Sequence, residues 1–335
     1  LDAIVSALGS RARRMPIEPK ADRKRRRDAE EPAAKPEAPV ADEAAAPEGP
    51  IRLTFLGKPN VGKSSLVNRL LGEERVLVHD QPGTTRDPID TPFRFDDREF
   101  VLVDTAGIRR RKVVKTMTEA VSAKMARDQV ARSHVVALVI DAAIGPSDDD
   151  ARLANMVEEA GRALIVVLNK GDLIPRAQMD LHMQALKSRL AFVSWAPFVI
   201  TSAHTGRGVT DLVTQAWKAW QSWTQRVPTG DLNRHFQDMI THRPPPSGPA
   251  GKHVRLYYIT QPEVAPPTFF VSSNMPAAVG YPYRRYLANK LRAIYGFEGS
   301  PIKLAVRGHR KRKRGQAEGE GDDLPPEIAA SIEEA

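Results

Sequence analysis

The 335-residue sequence contains no cysteine, and only 6% of its residues are aromatic. Without thiols there is no disulfide, no Cys-ligated zinc and no cysteine nucleophile. That suits a reducing compartment, and a cytoplasmic location is the expectation. Long hydrophobic runs are missing too. The apolar stretches "VVALVI" and "LIVVL" have the length of buried strands, well short of the roughly 20 residues that cross a bilayer. The first residues do not read as a secretory signal, and no membrane partner is expected.

Positive charge is plentiful: 50 Lys and Arg oppose 41 Asp and Glu, a formal net charge of +9. The excess is concentrated in "RARRMPIEPKADRKRRR" (residues 11–27) and "RGHRKRKRG" (residues 307–315). Such blocks are either solvated tails or contacts to nucleic-acid phosphates. Binding to nucleic-acid phosphate is the sharper reading.

Composition divides the chain. In residues 1–14, Leu1, Ile4, Val5 and Leu8 fall on one helical face with nothing beside them to bury it, so this segment reads as the last helix of an upstream domain. Residues 15–50 are rich in Pro, Ala, Glu and Lys, the signature of a disordered linker. Between residues 51 and 227, Val/Ile/Leu-rich runs alternate with helical patterns, which predicts an α/β domain whose mostly parallel sheet is covered by helices. Residues 228–308 read α-β-β-α-β, a small separate α+β domain, and residues 309–335 read as a charged disordered tail.

The chemistry-bearing motifs follow predicted strand ends, where parallel sheets bind ligands. "GKPNVGKS" runs through Gly57, Lys58, Pro59, Asn60, Val61, Gly62, Lys63 and Ser64, with Ser65 next. It fits the G-x-x-x-x-G-K-S phosphate loop between a strand and a helix. Its glycines let backbone N–H groups surround phosphate oxygens, Lys63 reaches the β and γ phosphates, and Ser64 is a ligand for Mg2+. "NKGD" (Asn169, Lys170, Gly171, Asp172) names the base. An ionised carboxylate only accepts, so Asp172 pairs with the N1–H and exocyclic amine of guanine, a donor pair that adenine lacks. Asn169 and the Lys170 stem would brace base and loop, while Ser202 and Ala203 of "SAHTG" offer backbone N–H to the guanine carbonyl.

"DTAG" supplies Asp104 as a water-mediated Mg2+ ligand, then Thr105, Ala106 and Gly107, whose N–H would sense the γ-phosphate. Thr85 of "PGTTRD" is the candidate direct Mg2+ ligand in a closing switch segment. Many GTPases place Gln after the D-x-x-G motif to orient the attacking water; here Ile108 stands there. Asn60 suggests a substitute: its side-chain oxygen would help hold K+ beside the leaving oxygen. The alternative for Asn60 is an ordinary loop residue. The catalytic set is thus Lys63, Asn60 and Thr85.

Taken in order, "GKPNVGKS", "PGTTRD", "DTAG", "NKGD" and "SAHTG" resemble the translation-factor-related GTPases of the TrmE–Era–EngA type. Residues 51–307 look like the second GTPase domain and KH-like terminal domain of the Der (EngA) family, with "AGIRRRKVVK" and "YRRYLANKLRAIYGFEGSPIKL" the more specific stretches. The resemblance implies a P-loop GTPase domain followed by a KH-like domain, GTP and GDP as ligands, and action in assembly of the large ribosomal subunit with its RNA as partner. It also implies that residues 1–14 close a preceding GTPase domain. TrmE-type relatives end in a catalytic cysteine motif, which is absent here. Era-type relatives clamp RNA with a GxxG loop between two helices, whereas "GFEG" (residues 296–299) lies between the last predicted helix and strand. Two functions stay open: a GTP-hydrolysing switch, or a nucleotide-gated ribosome-binding module with negligible hydrolysis.

Overall fold

The computed structural model describes residues 47–78, 90–104 and 119–309. The expected helix of residues 1–14, most of the linker, the charged tail after His309, and Thr85, Thr105, Ala106, Gly107 and Ile108 lie outside the described residues.

The hydrophobic runs become strands β1 (Ile51–Leu56), β4 (Arg98–Leu102), β5 (Val135–Asp141), β6 (Ala163–Asn169) and β7 (Phe198–Ile200). All are parallel, in the order β4-β1-β5-β6-β7. Two short strands, β2 (Val76–Val78) and β3 (Thr91–Phe95), extend this sheet antiparallel beyond β4. Helices α1 (Lys63–Leu71), α2 (Glu119–Ala131), α3 (Asp148–Glu159), α4 (Met179–Arg189) and α5 (Val209–Trp223) cover its two faces. Strand alternation explains how one run serves two cores. From β5, Val135, Ala137 and Val139 join Leu66, Leu70, Leu212 and Val213 of α1 and α5. Val136, Leu138 and Ile140 join Val130, Ala154, Val157 and Leu186 of α2, α3 and α4. Each large side chain sealed this way contributes about 1.5–3 kcal/mol, so the central strands are the least movable part of the domain.

The remainder follows the predicted α-β-β-α-β order: α6 (Thr229–His242), β8 (Leu256–Glu263), β9 (Thr268–Ser273), α7 (Tyr281–Tyr295) and β10 (Lys303–Gly308). The strands lie β10-β9-β8, with β10 parallel and β8 antiparallel to β9. Leu232, Phe236 and Met239 of α6 and Tyr283, Leu287 and Leu291 of α7 close one core with Ile259, Phe269 and Val271.

The GFEG stretch joins the two domains. Gly299 N–H donates to the Trp195 carbonyl at 2.8 Å, and its own carbonyl accepts from Leu164 N–H at 2.8 Å. Its φ of +76° and the Ala219 side chain, 2.5 Å from where a Cβ would sit, both require glycine. Arg292 of α7 lies over the Trp195 ring, 5.4 Å from its centroid. Leu164 and Trp195 lie at the N-terminal ends of β6 and β7, so the terminal domain docks on the edge opposite the motifs.

Candidate functional site

The loop between β1 and α1 is shaped by its two glycines. Gly57 has φ +143°, and a Cβ there would collide with the Val139 carbonyl of β5. Gly62, at φ +99°, caps α1, and a Cβ there would strike the Asn169 amide. Between them Asn60 is exposed at φ +65°, a left-handed conformation that asparagine tolerates better than most residues. Lys63 is buried, and its ammonium donates to the Gly57 carbonyl at 2.6 Å and to the Lys58 carbonyl. The charge therefore sits inside the loop curl. Ser64 and Ser65 are exposed on the first turn of α1, which carries no acidic residue, so the positive end of the helix is not neutralised locally. Val61 packs into the core and Pro59 is exposed. The Lys58 side chain leaves the loop, donating to Ser147 Oγ at 2.8 Å beside the buried Asp150 carboxylate at 3.5 Å.

Asn169 joins the separate motifs. It ends β6 at 1% exposure. Its Nδ2 donates to the Val61 carbonyl of the phosphate loop at 2.8 Å, and its Oδ1 accepts from Ala203 N–H at 3.1 Å and Thr201 Oγ1 at 3.3 Å. Lys170 follows at φ +63°, its ammonium paired with Asp141 Oδ2 at 2.6 Å. Gly171 is buried and donates to the Thr201 carbonyl at 3.0 Å. Asp172 then stands exposed on the short turn Gly171–Leu173. A buried Asp172, which strong base discrimination suggests, is not what the fold provides; the turn carries it to the rim, and any shielding comes from the base itself. A hydrogen bond from the Ser202 side chain, chiefly, holds its carboxyl below the usual range; desolvation opposes it, and backbone bonding and nearby His204 add lesser lowering effects.

Asp104 stands just past β4, with φ +58°. Its backbone N–H donates to Asp90 Oδ1 at 3.1 Å, and its Oδ2 accepts from the Gln129 amide. The described residues of GKPNVGKS, DTAG, NKGD and SAHTG thus lie at the C-terminal ends of β1, β4, β6 and β7, where the strand-end rule puts ligands. Sequence reasoning missed their supports. Ser147 and Asp150 form a capping box at the start of α3, legible as S-x-x-D before an apolar helix. Asp141 ends a buried strand and was legible by position. Asp90 and Gln129 had no signal.

Residues 52–170 match the family described as 50S ribosome-binding GTPase, and residues 226–307 match the KH-domain-like C-terminal region of EngA bacterial GTPase enzymes. Across both domains the chain is similar to the EngA GTPases. GTPase Der of Moorella thermoacetica is 43% identical over 264 residues, 78% of this chain and 60% of that protein. GTPase Der of Caldanaerobacter subterraneus is 40% identical over 271 residues, covering 80% and 60% respectively. The chain spans about three fifths of the length of these EngA relatives. Solved structures similar to it include Aquifex aeolicus Era bound to GDP.AlF4-, at 18% identity and TM-score 0.39, covering 77% of this chain and 92% of that one. The G domain of T. maritima FeoB is 24% identical with TM-score 0.34, covering 51% and 98%.

Proposed function

We propose that this chain is a GTP-binding and GTP-hydrolysing switch that acts on the large ribosomal subunit during its assembly in the cytoplasm. The observation that carries the nucleotide reading is Asn169, which ties the phosphate loop at Val61 to the SAHTG loop at Ala203. Phosphate recognition and base recognition are then one rigid unit rather than three separate turns. Lys63 reaches the β and γ phosphates from inside the loop and Asp172 reads guanine, whereas the Ser202 and Ala203 N–H groups expected on the guanine carbonyl are given to the Arg207 carbonyl and to Asn169 Oδ1 and would have to turn to reach it. The relatives named GTPase Der and the matched ribosome-binding family support the partner. The basic blocks add charge suited to ribosomal RNA.

Ser64, Asp104 and Thr85 are the Mg2+ ligands in this reading. Hard oxygen donors on Ser64 and Asp104, and no cluster of three or more His, Cys, Asp or Glu among the described residues, fit an ion that takes few protein ligands and relies on phosphate oxygens. When bound, Mg2+ would neutralise charge on those oxygens. Hydrolysis adds water to the γ-phosphorus and breaks its bond to the β–γ bridging oxygen, which leaves with GDP. Lys63 offsets the charge growing on that oxygen. Ile108 has no group to orient the water. Asn60 is accordingly assigned to holding K+, whose charge would serve where an arginine finger is missing.

Ile108 also favours the second reading, a nucleotide-gated ribosome-binding module that hydrolyses negligibly alone. Single-turnover GTP hydrolysis, with and without large ribosomal subunits and in K+ or Na+ at equal ionic strength, separates them. The switch reading expects turnover faster in K+, reduced by Lys63→Ala, with most of the cation difference lost in Asn60→Ala. No hydrolysis under any of these conditions favours the module. Equal rates in both salts return Asn60 to the role of a loop residue.

A further inference from the structure

Asp104 combines an unusual backbone with an unusual set of partners. A non-glycine residue at φ +58° is strained, and it persists when its surroundings hold it there. The restraint on its backbone is Asp90, whose Oδ1 accepts the Asp104 N–H at 3.1 Å. The Asp90 side chain is only 6% exposed and is itself gripped: Arg52 Nη2 reaches Oδ2 at 2.8 Å, and Arg132 Nη2 reaches the same oxygen at 3.2 Å. Arg52 Nε also donates to the Arg132 carbonyl at 2.6 Å, which fixes the arginines relative to each other. From the other side, the buried Gln129 amide holds the Asp104 carboxylate. Gln129 lies on α2 and Arg132 directly follows it, whereas Arg52 is on β1 and Asp90 immediately precedes β3.

We propose that Asp90 and Gln129 are positioning residues for Asp104: Asp90 fixes its backbone and Gln129 its carboxylate, so that the carboxylate is aimed for Mg2+ before nucleotide arrives. This rests on the assignment of Asp104 to the metal. An unaimed carboxylate would have to reorder on binding, which weakens the metal; removing a partner that orients a metal ligand typically lowers affinity about 10- to 100-fold. Because the same carboxylate links β1, β3 and α2, the aim of Asp104 also depends on how the edge of the sheet is seated on that helix.

The test measures GDP affinity by fluorescent-nucleotide titration over a range of Mg2+, beginning with none, and single-turnover GTP hydrolysis over the same range. Asp90→Ala is expected to raise the half-maximal Mg2+ concentration about 10-fold or more in both measurements, with metal-free GDP affinity unchanged. Asp90→Asn keeps an oxygen for the Asp104 N–H and is expected to shift less; Gln129→Ala is expected to shift in the same direction. A merely structural ion pair would lower the urea midpoint without moving the Mg2+ midpoint, and that result overturns the proposal. If Asp90→Ala does not fold, an unchanged Mg2+ midpoint in both Asp90→Asn and Gln129→Ala overturns it equally. Absence of any Mg2+ effect in the unaltered chain instead refutes the reading of the site, and this role with it.

Discussion

Asn169→Ala separates bracing from base recognition. The substitution removes the hydrogen bonds to Val61, Ala203 and Thr201, made at 2.8, 3.1 and 3.3 Å, from a side chain that is 1% exposed. A buried polar group left without its partner costs about 1–3 kcal/mol. Val61 is buried and its carbonyl takes that penalty in full, whereas Ala203 is half-buried and water can reach part of it. The Thr201 bond is the longest and adds least. The sum is a loss of roughly 2–4 kcal/mol in folding stability, measured by urea denaturation of the nucleotide-free protein. The nucleotide then has to bring the two loops back into register. If about 1.4 kcal/mol of the lost bracing is restored on binding, GDP affinity falls about tenfold. Since bracing is indifferent to the base, guanosine and xanthosine diphosphates are expected to weaken alike. A destabilised variant with unchanged GDP affinity refutes the bracing argument, and so does a change in base preference.

Three further outcomes follow from the geometry. Asp172→Asn replaces one acceptor oxygen with a donor amide and is expected to switch preference from GTP to XTP; because Ser202 holds the Asp172 carboxyl below the usual range, GTP affinity in the unaltered chain is expected to be flat through neutral pH and to fall only in acid, and competitive titration across pH checks both. Burial, with Arg162 and Arg52 adding repulsion, lowers the His134 pKa to about 4 from 6.5. The unfolded chain therefore takes up a proton first, so stability present above pH 6.5 is lost as pH falls towards 4, and urea midpoints in His134→Gln are expected to lack this component of the loss. Neutralising the basic block of residues 307–315 is expected to weaken RNA binding and flatten its salt dependence, whereas Gly299→Ala is expected to lower the melting temperature with the salt slope of RNA binding intact; salt-insensitive binding lost on changing GFEG would revive the clamp.

The motifs and the parallel strands were legible because each depends on local pattern. β5 and β6 are buried along their whole length, and all but their last residues, Asp141 and Asn169, are apolar. The hairpin edge was harder. β2 has three residues, and β3 hides its alternation, Phe93 and Phe95 inward and Arg94 outward, within five residues that include a proline. The buried stripe of α2 is thin, with Ala126 and Val130 separated by polar residues among its described side chains. Asp90 and Gln129 were missed for one cause. Asp90 lies 14 residues from Asp104 in sequence and Gln129 lies 25 away, and no short-range spacing reports a hydrogen bond closed by tertiary packing. Lys58 shows the same limit within a motif, because its sequence position cannot say that its side chain turns towards Ser147.

β6 links the two ends of the molecule. At one end Asn169 holds the phosphate and base loops together, and at the other Leu164 donates to Gly299 of the terminal domain. Between them the strand is buried residue by residue and bonded along both edges, to β5 and to β7. A packed strand of this kind has one arrangement and cannot act as a moving part. The terminal domain is therefore seated on the most rigid path through the sheet, and the base-recognition loops share that rigidity. The other edge is built differently. β2 is short with Leu77 and Val78 exposed; β3 is laddered to β4 and packs Phe93 and Phe95 into the core, while Asp90 just before it is held by Arg52 of β1 and by Arg132 after α2. Charge-assisted contacts with arginines about one-third exposed are easier to rearrange than a sealed core. Gly299→Ala then gives a clean check: it is expected to lower stability while leaving the Mg2+ midpoint for GTP hydrolysis where it was. A shift as large as that of Asp90→Ala would show that the two ends are coupled through β6 after all.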